Sequence, residues 1–222
     1  DDRAPGLRVA FHELRPELRV HPEEVVADEH LAVAARARPD ADRENTDAFR
    51  DPPRELGGDD VYFAPFGPKG YGAPGNLGPH VNSRRDEWGP MVSADGRRLL
   101  FASDGRGGSG KHDLFVAERD GVGWAEARNL GPVVASKLDD FDATFLDDGR
   151  SIVFASERRG AESAHLFVTI WKDGAYQAPV WLGSKVNQAG KWNFGAAVRT
   201  GAPGFLYFNV SGDIYRVRYR LE

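Results

Sequence analysis

The chain has 222 residues, with 34 acidic against 29 basic side chains and a net charge of −5, which argues against nucleic acid or an anionic membrane as an electrostatic partner. No apolar run approaches the ~18 residues that a bilayer-spanning helix needs. The absence of cysteine excludes disulfides, thiolate catalysis and Cys-ligated zinc, and leaves the redox compartment open.

In chain order, residues 7–13 (Leu-Arg-Val-Ala-Phe-His-Glu) read first as a lone strand. A degraded copy of a longer unit begins near 22 with Pro22, Ala27-Asp28 and the run from Leu31 to Arg36. A polar insertion over 37–58 interrupts it, and Asp60-Val61-Tyr62-Phe63 and Gly75-Asn76-Leu77-Gly78-Pro79 complete it. The unit is clear from Trp88-Gly89-Pro90 onward: Ser93-Ala94-Asp95-Gly96-Arg97, Leu99-Leu100-Phe101-Ala102-Ser103, Asp113-Leu114-Phe115-Val116, then Asn129-Leu130-Gly131-Pro132. Fifty-three residues on from Pro90, Phe141-Asp142-Ala143 opens the same run, and a further 53 bring Phe194-Gly195-Ala196. Four copies therefore start near 22, 90, 143 and 196, and a fixed period of this size means one supersecondary unit used repeatedly.

Each apolar run is four to six residues long, too short for a helix, rich in Phe, Val, Leu and Tyr, and bounded by Asp-Gly turns. Four short antiparallel strands in roughly 50 residues is the period of a propeller blade. A sandwich also has short strands but has no reason to repeat its sequence. The fold predicted is an all-β propeller of four-stranded antiparallel blades, a single domain over 1–222. The last copy stops at its third strand, so strand 7–13 is expected to complete that blade and close the ring as a monomer. The alternative is an incomplete ring assembled with a second chain.

The string Val81-Asn82-Ser83, Asp86-Glu87-Trp88-Gly89-Pro90, Ser93-Ala94-Asp95-Gly96-Arg97, Gly107-Gly108 and Asp113-Leu114-Phe115 resembles the WD-like repeat of bacterial TolB-type β-propellers. The likeness is strongest over 81–168, fair over 186–217 and weak over 22–80. It implies an exported protein of the periplasm or cell surface that binds other macromolecules or cell-wall material. The sequence departs from the pattern at His165, at Arg199-Thr200-Gly201 and in the first-copy insertion. Asp1 in place of Met reads as signal-peptide removal or a trimmed chain.

Several chemical motifs fail on inspection. Gly105 to His112 is one residue short of a phosphate loop: His112 stands where a hydroxyl should hold magnesium, and a strand follows instead of a helix. There is no Gly-x-Ser-x-Gly elbow, no His-Glu-x-x-His helix and no EF-hand spacing, so no cofactor and no metal are predicted. Each Asp beside a Gly reads as a turn former.

Blade topology places the inter-blade connections and the loops between second and third strands on one face. That face collects the long, charged loops, and function on a rigid scaffold concentrates in such loops. The candidate ligand-binding residues are Arg84, Glu87, Arg106, Lys111, His112, Asp140, Arg158, Arg159, Lys191 and Trp192. Trp192 stands where the other copies have Asp86 and Asp139, which suits it to stack on a sugar or anchor a partner. The arginines suit a carboxylate, or else pair with Asp139, Asp140 or Glu157 across a blade interface. The reading is a non-catalytic binding module for a protein or cell-envelope glycan. Two alternatives stand: a hydrolase or lyase using Glu87, Asp140 and His112, and a structural fragment of a larger propeller protein.

Overall fold

The computed structural model describes residues 32–35, as backbone, together with 56–68, 70–121, 123–199 and 204–221. The predicted strand 7–13, the start of the first copy near 22 and most of the insertion 37–58 lie outside the described residues. Among those described there is no helix, and the architecture is four main antiparallel sheets, one per sequence copy, with two small separate hairpins.

In the first sheet, β1 (Ala32–Ala35) pairs with β2 (Val61–Ala64). A small hairpin of β3 (Phe66–Gly67) and β4 (Gly70–Tyr71) follows, and β5 (Gly75–Asn76) returns to β2. The second sheet runs β6 (Glu87–Val92), β7 (Arg98–Ser103) and β8 (Asp113–Asp120). Its β9 (Gly123–Trp124) and β10 (Arg128–Asn129) both pair on β8. The third sheet has β11 (Asp140–Phe145), β12 (Ile152–Ser156) and β13 (His165–Thr169). After the hairpin of β14 (Trp171–Lys172) and β15 (Ala175–Tyr176), β16 (Val180–Trp181) pairs on β13. The fourth sheet is β17 (Asn193–Val198), β18 (Phe205–Val210) and β19 (Asp213–Arg218).

Consecutive sheets pack face to face, which is why the middle strands read as unbroken apolar runs. Side chains alternate along a strand. In β7, Leu99 and Phe101 enter the core shared with the first sheet, while Leu100 and Ala102 enter the next. In β12, Ile152 and Phe154 face back toward the second sheet, and Val153 and Ala155 forward to the fourth.

The first strand of each later sheet carries the same irregularity. Trp88 lies opposite Ala102, Phe141 opposite Ala155 and Phe194 opposite Asn209, and after each aromatic the register shifts. The next residue is left-handed in all three: Gly89 (φ 54°), Asp142 (φ 46°) and Gly195 (φ 61°). This is a β-bulge, and it demands Gly, Asp or Asn at that position. The bulges sit side by side. A Cβ on Gly89 would come 3.0 Å from Asp142 Oδ1, and Asp142 Oδ2 accepts the Gly195 N–H at 3.2 Å.

Candidate binding face

The loop face is built from the connections that enter β6, β11 and β17 and the loops that leave β7, β12 and β18. One backbone bond ties each pair: Asp104 N–H to Asp86 O, Glu157 N–H to Asp139 O, and Ser211 N–H to Trp192 O. Trp192 is thus the spatial as well as the sequence counterpart of Asp86 and Asp139.

Immediately after that position each of the three later copies has a buried polar side chain that folds back onto its own connection. Glu87 accepts the Ser83 N–H at 2.8 Å and the Ser103 hydroxyl at 2.7 Å. Asp140 accepts the Ser136 N–H at 2.6 Å, and Asn193 accepts the Gln188 N–H at 3.0 Å. These three side chains are 3%, 0% and 0% exposed. Glu87 and Asp140 therefore hold loops in shape, and burial pushes the Glu87 carboxyl above its ordinary value despite its hydrogen bonds. Asn82 and Asn187 fasten each connection to the preceding sheet. Asn82 pairs with both backbone groups of Val61 (2.8 and 2.9 Å), and Asn187 does the same to Leu166 (2.6 and 2.9 Å).

Arg106 and Arg158 also turn inward. Arg106 donates to the carbonyls of Pro79 (3.0 Å) and Val81 (3.3 Å) and pairs with Glu126. Arg158 donates to Val134 O at 2.6 Å, to Asp140 Oδ1 at 2.8 Å and to the Ser156 hydroxyl at 2.8 Å. Val81 and Val134 are matching positions, so the two arginines pin equivalent connections. The guanidinium of Arg158 also lies over Phe154 and Phe167, at 5.0 and 4.9 Å from the ring centroids.

Between the second and third sheets Lys111, His112, Asp139 and Glu157 meet. His112 stacks on Trp88 (3.5 Å between centroids) and its Nδ1 lies 2.8 Å from Asp139 Oδ1. Lys111 Nζ is 3.4 Å from Asp139 and 4.0 Å from Glu157. The two carboxyls diverge. Burial works against the Asp139 carboxylate, but hydrogen bonds from the His112 ring and N–H, with the charges of His112 and Lys111, outweigh it and hold its pKa low. Glu157 is raised by burial and by the Asp139 charge, and its buried Oε2 lacks a hydrogen bond. Sequence reasoning placed Asp139 and Glu157 only as optional partners of the arginines. The signal for the cluster was the shared position of Asp86 and Asp139 one residue before the buried acid.

The remaining candidates point outward. Arg84 and Lys191 are exposed, Arg159 is exposed with its guanidinium 4.8 Å from the Trp181 ring centroid, and Trp192 is 40% exposed. The candidates thus divide into Glu87, Arg106, His112, Asp140 and Arg158, which are engaged in the scaffold, and Arg84, Lys111, Arg159, Lys191 and Trp192, which reach solvent. Among the described residues no group of three or more His, Asp or Glu is arranged to hold a metal ion.

No protein-family model matches the chain, and no curated protein matches it. Among solved structures, TolB from Acinetobacter baumannii is similar over 73% of this chain, with 11% identity and a TM-score of 0.38. The chain spans 49% of the length of that protein.

Proposed function

We propose that the chain is a non-catalytic binding module of the TolB-type β-propeller class, acting in the periplasm or at the cell surface. The four sequence copies form four blades, strand 7–13 closes the ring on the open edge of β19, and the monomer recognises a protein or cell-envelope glycan with its loop face. One observation carries the reading. The polar groups best suited to chemistry, Glu87, Asp140, Arg106 and Arg158, are occupied in holding loops, whereas Trp192, Arg84 and Lys191 stand exposed on the same face with no side-chain hydrogen bond or ion pair among the described residues. A screen of glycans and envelope proteins with the wild type and Trp192→Ala tests it. Selective retention that the variant loses, with an unchanged melting temperature, supports the reading, and no retention of any kind refutes it.

The divergent pair Asp139 and Glu157, beside Lys111 and His112, favours a second reading: a hydrolase or lyase in which one carboxyl is held low and its neighbour is raised at one interface. Turnover of a retained glycan that Glu157→Gln abolishes would select this reading over the first.

A further inference from the structure

Sign and spacing on the loop face go further than the proposal of a binding module. Five exposed cations there have no carboxylate partner among the described residues: Arg84, Lys137, Arg159, Lys185 and Lys191. They come from three successive connections and one inter-strand loop. Exposed acids at the same face, among the described residues, are Glu162, Asp213 and Glu126, the last paired with Arg106. The opposite face mixes its signs evenly, with Asp95, Asp120, Asp147, Asp148 and Asp173 exposed beside Arg97, Arg119, Lys172, Arg199 and Arg220. Among the described residues the loop face therefore carries an excess of exposed positive charge.

The cations do not converge. Each rises from a separate loop, so they suit charges distributed along a polymer better than one small anion. Trp192, adjacent to Lys191, is the one large aromatic that is exposed on this face among the described residues. Single-stranded nucleic acid is held on a succession of aromatic platforms, one base after another. One platform among dispersed cations fits a sugar chain, with one ring stacked and its neighbours' acidic groups met by ammonium and guanidinium groups.

We infer that the loop face takes an acidic polysaccharide, with Trp192 as the stacking platform and Lys185 and Lys191, from the same connection, as charge contacts. This rests on the binding reading above and specifies its ligand class. The test is the affinity of the whole chain for polygalacturonate at low and at physiological salt. Fully methyl-esterified polygalacturonate serves as the uncharged counterpart, and oligo-dT as the nucleic-acid counterpart. Binding should be lost on esterification and weakened by salt, since exposed charges act through a screened field. Lys185→Glu with Lys191→Glu should weaken it by about tenfold or more, because like charges then face the ligand. Lys172→Glu on the opposite face should leave it unchanged. Equal binding of the esterified polymer, tighter binding of oligo-dT, equal damage from Lys172→Glu, or no binding of polygalacturonate would each overturn the inference. If Trp192→Ala abolishes retention of a neutral glycan or an envelope protein, the binding module stands and only the acidic ligand class falls. Failure of every ligand in the screen would remove the module itself.

Discussion

Arg158 offers the sharpest separation of a scaffold role from a ligand-binding one. Its partner Asp140 has a side chain with no exposure, while Arg158 itself is one-fifth exposed at 19%. Replacing Arg158 by Met keeps most of the stem that lies over Phe154 and Phe167 and removes the donors to Val134 O, Asp140 and Ser156. Breaking a buried ion pair by removing one partner costs about 3–5 kcal/mol, because a charge remains without compensation. Asp140 keeps the Ser136 N–H, and solvent reaches part of the guanidinium, so the lower end applies, about 3 kcal/mol. Asp140→Asn in the Arg158→Met background removes the stranded charge, and the two changes should couple by about 2 kcal/mol in a double-mutant cycle. Urea unfolding of wild type, both single variants and the double variant at pH 7 reads these terms directly, provided each transition is two-state. A coupling near zero, or an Arg158→Met variant as stable as wild type but defective in ligand retention, would refute the scaffold assignment.

Five further outcomes follow from the same geometry. Trp192→Ala should weaken ligand binding by about 1–3 kcal/mol by titration while shifting stability by less than about 0.5 kcal/mol, as at ordinary surface sites. Phe101→Ala or Phe154→Ala, each fully buried between two sheets, should cost about 3–5 kcal/mol in denaturant unfolding, since a cavity opens. At the bulge, Asp142→Gly should be tolerated, as Gly89 and Gly195 show, whereas Asp142→Val forces a β-branched residue to a φ of 46° and should lower the melting temperature clearly. Glu157 is held above its ordinary 4.5, so the stability linked to its protonated form is full below that value and is lost as pH rises through the folded value. Glu157→Gln should therefore gain stability over wild type at neutral pH and lose that advantage near pH 4. Asp139, held below its ordinary 3.8, contributes stability above that value that is lost as pH falls through its lower folded one, so Asp139→Asn should be destabilised at neutral pH and approach wild type in stronger acid.

Much of the architecture was legible because the repeat constrains it at several levels. The Asp-Gly turns and short apolar runs located β6, β7, β11 and β12, and the 53-residue spacing placed their counterparts in register. The bulge was not legible: Gly89 and Gly195 look like ordinary turn glycines until Asp142, at the same position, shows what backbone the site requires. The candidate face was only half legible. Topology correctly gathers the connections and inter-strand loops, but composition cannot say whether a charged side chain leaves the surface or folds back to a carbonyl. Arg158 and Arg159 are neighbours in sequence, yet one pins Val134 and the other is exposed over Trp181. Glu87, Asp140 and Asn193 differ in chemistry and share one task, because what each site needs is an acceptor for a nearby loop N–H rather than a charge.

Amide hydrogen exchange of the whole chain, with and without polygalacturonate at low salt, tests the central claim most directly. The account predicts ligand-dependent protection in the connection 183–192 and the loop 157–164, with the turns 94–97 and 147–150 on the opposite face unchanged. Protection confined to those turns, with the loop face unaffected, would contradict it.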